Sequence, residues 1–364
     1  MELQPLKVGT NEGLPVRVED PYTHILLVGK SGTGKSTALA NWWEEYCYPN
    51  VSKTLIDPSG MLSRDCYAIS KGRAHYCSLE HPISCNPMHL PYTEDDICDL
   101  LAEAINQVIT RTTQNQQLTV KMRGDFDPAV KYCLSKNRKS LLSVRDYIEL
   151  HAKNSEAKDG LLQRLNFILG DTRMVKILCG NNPIKIGELI DKQESFIMDC
   201  SAMSHEKLIF TGCLLALSIR NYFRFERQEK YKPCFVQIDE CVNFLNQTFF
   251  EILREARKYS LGVVLSTQDL ANIPDAMVRV MLNVGNIVCY RVGYREASLI
   301  ARALGTTPEV LQNLEKYHCA YLTFKSKGIA KATSPPVFKK LEIKAEPQSK
   351  PQGITWFPLE PLEA

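Results

Sequence analysis

Eight residues near the N-terminus, Gly29-Lys30-Ser31-Gly32-Thr33-Gly34-Lys35-Ser36, restrict the folds open to this chain more than anything else in it. They spell G-x-x-x-x-G-K-[ST], a pattern that ordinary residue frequencies place by chance in roughly one or two of a hundred chains this long. An apolar run, Ile25 to Val28, precedes them, and a helix-compatible stretch, Lys35–Tyr46, follows. Strand, glycine-rich turn and helix form the setting in which this spelling has a mechanism. The glycines let successive backbone N–H groups turn toward phosphate oxygens, and the helix N-terminus adds positive potential. Lys35 is placed to neutralise the β- and γ-phosphates, and the Ser36 hydroxyl to ligate Mg²⁺. The expected nucleotide contacts are Gly29, Ser31, Gly32, Thr33, Gly34, Lys35, Ser36 and Thr37. The expected cofactors are ATP and Mg²⁺.

From Pro21 to Phe324 the chain repeats the order of strand and helix. His24–Val28, Lys53–Ile56, Ser195–Asp199, Cys234–Ile238, Leu261–Ser266, Ile287–Arg291 and Ala320–Phe324 read as strands. Most are continuous apolar runs, as a parallel sheet covered on both faces requires. Helices are predicted over Lys35–Tyr46, Glu206–Arg227, Thr248–Tyr259, Asp275–Leu282 and Arg295–Leu304. The fold class is therefore α/β with a mainly parallel sheet.

One stretch breaks the alternation. Between Pro91 and Leu169 no strand is legible, while Thr93 with Asp96 reads as a helix start and Ile97, Leu100, Leu101, Ala104, Ile105, Val108 and Ile109 form one apolar face. Ser143 with Asp146 repeats the start signal, and a last helix spans Gly160–Leu169. The middle of this stretch is basic, with Arg111, Lys121, Arg123, Lys131, Lys136, Arg138 and Lys139 against Asp125 and Asp127. Such a run is a solvated face or a contact for DNA. The expected organisation is an N-terminal arm (1–20), a discontinuous α/β core (21–90 and 170–324), an all-α insertion (91–169) and a Pro-rich tail (325–364) carrying Trp356 and Phe357.

A phosphate-binding loop needs an acidic partner, and Cys234-Phe-Val-Gln-Ile-Asp239-Glu240 supplies one. Asp239 at the strand end would hold Mg²⁺ through water, and Glu240 would orient and deprotonate the attacking water. The next strand ends in Thr267-Gln268, which places Gln268 to hydrogen-bond a γ-phosphate. Between the two strands lie Arg254, Arg257 and Lys258. One of them could reach into a neighbour's site to stabilise transition-state charge. The other reading is i,i+4 pairing on a solvated helix face.

Composition excludes several classes. The 44 Lys+Arg against 41 Asp+Glu leave a net charge of +3, too little for a uniformly basic coat but compatible with a basic patch. The longest apolar stretch, Leu208 to Ile219, is broken by Thr211 and Ser218 and falls short of the ~18–20 residues a bilayer span requires. The first residues lack a secretory pattern. The expectation is a cytoplasmic protein with no membrane span of its own, recruited to a membrane, if at all, by partners. None of the 13 cysteines forms C-x-x-C and several lie in apolar runs, so they read as reduced, buried thiols.

Together with Leu55-Ile-Asp-Pro-Ser-Gly60, Cys85-Asn-Pro-Met88 and Asn283-Val-Gly-Asn-Ile-Val-Cys-Tyr-Arg-Val-Gly293, these motifs resemble the HerA–FtsK superfamily of ring ATPases. Within it the chain looks most like the type IV secretion coupling proteins (TraG-like) and related DNA-translocating ATPases. The resemblance covers Pro21 to Phe324 and is most specific from Arg254 to Gln268; the helical stretch after Met88 matches the all-α domain of coupling proteins. It implies a RecA-like P-loop NTPase fold with an all-α insertion. It also implies a homo-oligomer, a hexamer, that hydrolyses ATP at subunit interfaces and drives double- or single-stranded DNA through a central channel. Lys35, Ser36, Asp239, Glu240 and Gln268 would act within one subunit and Arg257 across the interface, with Arg254 and Arg291 as the other arginine options. Asp57 ends the second expected strand, but Asp-Pro-Ser-Gly is also good turn chemistry, and relatives often have Lys where this chain has Ser59. The implied process is conjugative or mobile-element DNA transfer, with viral genome packaging, HerA-like DNA processing beside a nuclease, or energising of protein secretion as alternatives. ATP as a mere assembly switch would need none of Glu240, Gln268 and Arg257. With twenty or so residues before the first expected strand and a Pro-rich tail, the expectation is a chain without a coupling protein's membrane helices, a HerA barrel or a winged helix.

Overall fold

The computed structural model describes residues 4–47, 51–112, 118–153, 155–225, 232–244 and 253–343. Its strands are β1 (Leu6–Asn11), β2 (Leu14–Val18), β3 (Ile25–Val28), β4 (Ser52–Asp57), β5 (His75–Cys77), β6 (Ser195–Asp199), β7 (Cys234–Ile238), β8 (Leu261–Thr267), β9 (Asn286–Cys289), β10 (His318–Leu322) and β11 (Lys327–Ala332). They form one 11-stranded sheet in the order β2-β1-β11-β10-β9-β3-β8-β7-β4-β6-β5. From β9 to β5 every pair is parallel, and from β10 to β2 every pair is antiparallel.

The apolar runs explain the parallel half. In β3 all four residues are buried, but Ile25 and Leu27 join one core while Leu26 and Val28 join the other. This is the two-residue period of a strand covered on both faces. One face packs against α1 (Lys35–Glu45) and α2 (Met61–Ile69), with Trp42 and Trp43 fully buried. β4 brings a lysine into that core. Lys53 donates to the Trp43 carbonyl (3.0 Å) and to Cys47 Sγ (2.9 Å), and its ammonium lies 4.6 Å from the Trp43 ring centroid. Burial lowers its pKa, and these contacts replace the water it has lost.

The other face carries α9 (His205–Phe225), whose apolar centre, Leu208 to Ile219, is buried. No described helix is long and apolar enough to cross a membrane. On α9 rests a helical section, α3 (Glu94–Thr112), α4 (Val120–Ser135), α5 (Leu141–His151) and α6 (Ser155–Leu169), followed by α7 (Thr172–Cys179) and α8 (Ile186–Lys192). Thr93 caps α3 as expected, with its Oγ1 accepting from Asp96 N at 3.2 Å. α5 starts earlier than the Ser143 signal implied, because Ser140 caps it through Leu142 N (3.1 Å). Further on come α10 (Asp275–Leu282), α11 (Tyr294–Leu304) and α12 (Pro308–Gln312). All 13 cysteines are free thiols.

The antiparallel half departs from the sequence reading. The stretch 1–20, expected as an arm, contains the β1–β2 hairpin, and β11 lies in the stretch expected as tail. Both belong to the main sheet, because β1 pairs with β11 and β11 with β10. At Gly9 the two backbones come so close that a Cβ would stand 2.2 Å from the Lys331 carbonyl oxygen, and only glycine allows that approach. Trp356 and Phe357 lie outside the described residues, as do residues 248–252 of the expected helix Thr248–Tyr259, of which 253–255 are helical. The described end of that helix is a 3₁₀ turn, Ala256–Tyr259.

Candidate active site

β3, β8 and β7 are consecutive and parallel in the sheet, so their C-terminal ends lie side by side. The loop 29–34, Gln268 and the Asp239-Glu240 pair leave from those three ends. This is where a parallel sheet presents a crevice to ligands. Asp239 is thus one strand removed from the loop, with β8 between them.

Backbone bonds pin the loop on both flanks. Gly29 N donates to Thr267 O (3.3 Å), Lys30 N to Arg291 O (2.9 Å) and Tyr317 N to Thr33 O (3.1 Å). Thr33 Oγ1 closes the turn by donating to Lys30 O at 2.7 Å. Gly34 has φ of +130°, and a Cβ there would stand 2.9 Å from Tyr290 Cε1, so this position requires glycine. Among the described residues, no hydrogen bond takes the backbone N–H groups from Ser31 to Thr37. They form a row of unspent donors that ends at the N-terminus of α1.

Lys35 is buried, and its ammonium donates to the loop's own carbonyls, Gly29 O at 2.6 Å and Lys30 O at 3.5 Å. Burial lowers its pKa, while the charges of Glu240 and then Asp239 act the other way. Asp239 is buried at the end of β7, where burial raises its pKa and the hydrogen bond from Ser266 Oγ (2.7 Å) opposes the rise. Glu240 has φ of +43°, an uncommon conformation for a residue with a Cβ, and its Oε1 accepts from Gln268 Nε2. A buried ammonium bonded only to carbonyls, beneath a row of free N–H donors, fits a polyphosphate. Opposite it, Asp239 and the exposed Ser36 hydroxyl are oxygen ligands of the kind Mg²⁺ takes.

The structure thus brings Lys35, Asp239, Glu240 and Gln268 to one crevice with the expected loop residues. Asp57 stands beside Asp239, whose N donates to Ile56 O (3.0 Å), but its own oxygens are taken by the turn: Oδ1 accepts from Ser59 N (2.8 Å) and Oγ (2.7 Å), and Oδ2 from Ser63 N (2.8 Å). Those bonds shape the turn and start α2, as Asp-Pro-Ser-Gly chemistry implies. Arg254 and Lys258 are exposed, and Arg291 is exposed beside Lys30. Arg257 is on the turn Ala256–Tyr259, and its side chain lies outside the described part of the chain. Sequence reading did not find Ser266, Tyr290 or Tyr317. Ser266 carried a faint signal, a small polar residue at the end of the apolar run of β8, whereas the tyrosines reach the loop only through the fold.

No protein-family model and no curated protein matches the chain. Solved structures do. The plasmid coupling protein TrwB in complex with ADP and Mg²⁺ has a TM-score of 0.70 at 14% identity, over 94% of this chain and 93% of that one. VirB4 of Thermoanaerobacter pseudethanolicus reaches 0.71 at 13% identity, over 92% and 98%. This chain has their fold. The likeness extends over nearly the whole chain and gives the architecture as RecA-like, with the helical section between β5 and β6.

Proposed function

We propose that the chain is a Mg²⁺-dependent ATPase that works as a ring-shaped DNA translocase of the coupling-protein kind. The observation that carries the ATPase reading is the row of unspent N–H groups from Ser31 to Thr37 around the buried Lys35 ammonium. Lys35 holds the terminal phosphates, and Ser36 with Asp239 holds the cation. Bound Mg²⁺ would neutralise charge on the β- and γ-phosphates. Glu240 orients the attacking water and takes its proton, and Gln268, bonded to Glu240, couples the state of that carboxylate to β8. Arg257 is assigned the role across the subunit interface of a hexamer, with Arg254 and Arg291 as substitutes.

The DNA assignment rests on likeness to TrwB, described as a bacterial conjugative coupling protein. Conjugative or mobile-element transfer is the leading process, and genome packaging or DNA processing would use the same motor. One observation favours another substrate. The basic stretch in α4 is less free than its sequence implied, because α3 supplies acids to it: Arg123 pairs with Asp99 (2.6 Å) as well as Asp127 (3.0 Å), and Lys131 pairs with Asp95 (2.5 Å). A secretion motor acting on protein needs no such patch. The test is the ATPase rate of the oligomer with and without single- and double-stranded DNA, with Lys35→Ala as the blank. Stimulation by either DNA supports the translocase. Hydrolysis that ignores both transfers the reading to a protein substrate. Mixing Arg257→Ala with Lys35→Ala subunits should restore part of the activity, since the intact arginine then meets an intact loop across the interface.

A further inference from the structure

Tyr317 is one of the few residues other than glycine with positive φ, at +62°, and it precedes β10 on the side of the loop away from Asp239. Such backbones persist where the surroundings over-determine them, and they gather at ligand sites. Here the surroundings are explicit. Tyr317 N donates to Thr33 O in the loop at 3.1 Å, and Tyr317 O accepts from Ala332 N in β11 at 2.7 Å. The residue is clamped between the phosphate loop and the antiparallel half of the sheet.

The clamp presents the ring. Tyr317 Cδ1 lies 3.2 Å from where a Cβ on Gly34 would stand, so its edge rests on the last glycine before α1. Beneath it Tyr290 is buried, but Tyr317 is 36% exposed. Lys316 Nζ lies 5.1 Å from the ring centroid. A chain bonded to the free N–H groups of 31–37 with its terminal phosphates toward Asp239 must lead its other end away from β7, toward the β9–β10 side where Tyr317 stands.

We propose that Tyr317 is the platform on which the nucleobase stacks, which makes it the residue that distinguishes a nucleoside triphosphate from a bare polyphosphate. The proposal rests on the nucleotide reading above and adds its base-binding half. Stacking needs only a π-face, so Tyr317 accepts adenine and guanine alike. The phenol hydroxyl has no part in it.

The experiment compares ATP, GTP and inorganic tripolyphosphate by titration calorimetry on the full chain. Tyr317→Asn removes the ring while tolerating the left-handed backbone; Tyr317→Phe keeps the ring. The expected result for Tyr317→Asn is a loss of about 5- to 150-fold in affinity for ATP and GTP, the range of base–aromatic stacking, with tripolyphosphate unaffected. Tyr317→Phe should match the parent on all three ligands. Equal losses for tripolyphosphate and ATP would mean that the ring only shapes the loop, and an unchanged ATP affinity would mean that the base lies elsewhere; either overturns the proposal. Lys35→Ala separates the two levels, because it should weaken all three ligands. If the parent binds none of them, the nucleotide reading and the platform fall together.

Discussion

Glu240 is the residue on which chemistry and conformation meet. Its left-handed backbone turns the carboxylate from the end of β7 toward Gln268, and the Gln268 amide fixes it there. Replacing Glu240 with Gln keeps size and backbone but removes the proton acceptor that the proposed mechanism assigns to it. Hydrolysis should fall by about 10²- to 10⁴-fold, the usual contribution of general-base catalysis, with ATP affinity retained. Single-turnover hydrolysis together with calorimetric binding checks this, and lost binding would make Glu240 a structural residue. Gly34→Ala should act in the opposite sense. It forces a Cβ into a φ of +130° and to within 2.9 Å of Tyr290, so affinity should collapse before any effect on chemistry can be measured. At this scale the sequence was most informative where the chemistry is contiguous, as in Gly29–Ser36 and Asp239-Glu240. It carried only a faint signal for Ser266 and none for Tyr317, whose contacts with Asp239 and Thr33 join residues far apart in the chain.

Among the elements, continuous apolar strands were legible and half-polar ones were not. β3, β7 and β8 are buried along their whole length, and a mostly apolar run announces that. The β1–β2 hairpin carried a weaker signal, the alternation of Leu6, Val8, Val16 and Val18 about the Glu12-Gly13 turn. β11 had less still, since Ala330 is its only buried residue. The β3–β8 pair carries a pH prediction through His24. Its Nδ1 accepts from Val263 N (3.2 Å), which leaves the proton on Nε2 to donate to Leu253 O (2.9 Å). The ring is therefore held neutral, and burial pushes its pKa from 6.5 down to about 4 against the opposing Leu253 bond and Asp20 charge. Below pH 6.5 the unfolded chain takes up a proton that the folded one refuses. The stabilisation is complete above 6.5 and is lost as pH falls toward 4, at about 1.4 kcal/mol per pH unit and about 3 kcal/mol in all. Carboxylates titrate in the same window, so the readout is a difference: urea midpoints of the parent should fall more steeply from pH 7 to 4 than those of His24→Asn. Parallel slopes would show that His24 is protonated in the folded state.

The whole molecule raises the question of whether the helical section between β5 and β6 is a domain of its own. Its helices have the length and the caps of an independent bundle, yet their apolar faces do not close on themselves. Ile97, Leu101, Phe126, Val144 and Leu161 belong to the same continuous core as Phe210 and Leu214 of α9 and Leu26, Val28 and Ile56 of the sheet. An ion pair crosses the junction, with Arg220 of α9 3.5 Å from Glu103 of α3. Trp42 and Trp43, by contrast, lie in the second core on the far side of the sheet. If one core joins the helices to the sheet, a cavity made deep in α4 must loosen the far side as well. Phe126 is fully buried, so Phe126→Ala should cost about 3–5 kcal/mol. In a Trp356→Phe background, tryptophan fluorescence reports only Trp42 and Trp43. Its urea midpoint should then fall together with that of far-ultraviolet circular dichroism, as a single cooperative unit requires. A fluorescence midpoint that stays in place while part of the dichroism signal melts early would divide the chain into two bodies. The helical section could then move against the α/β core, which a shared core forbids.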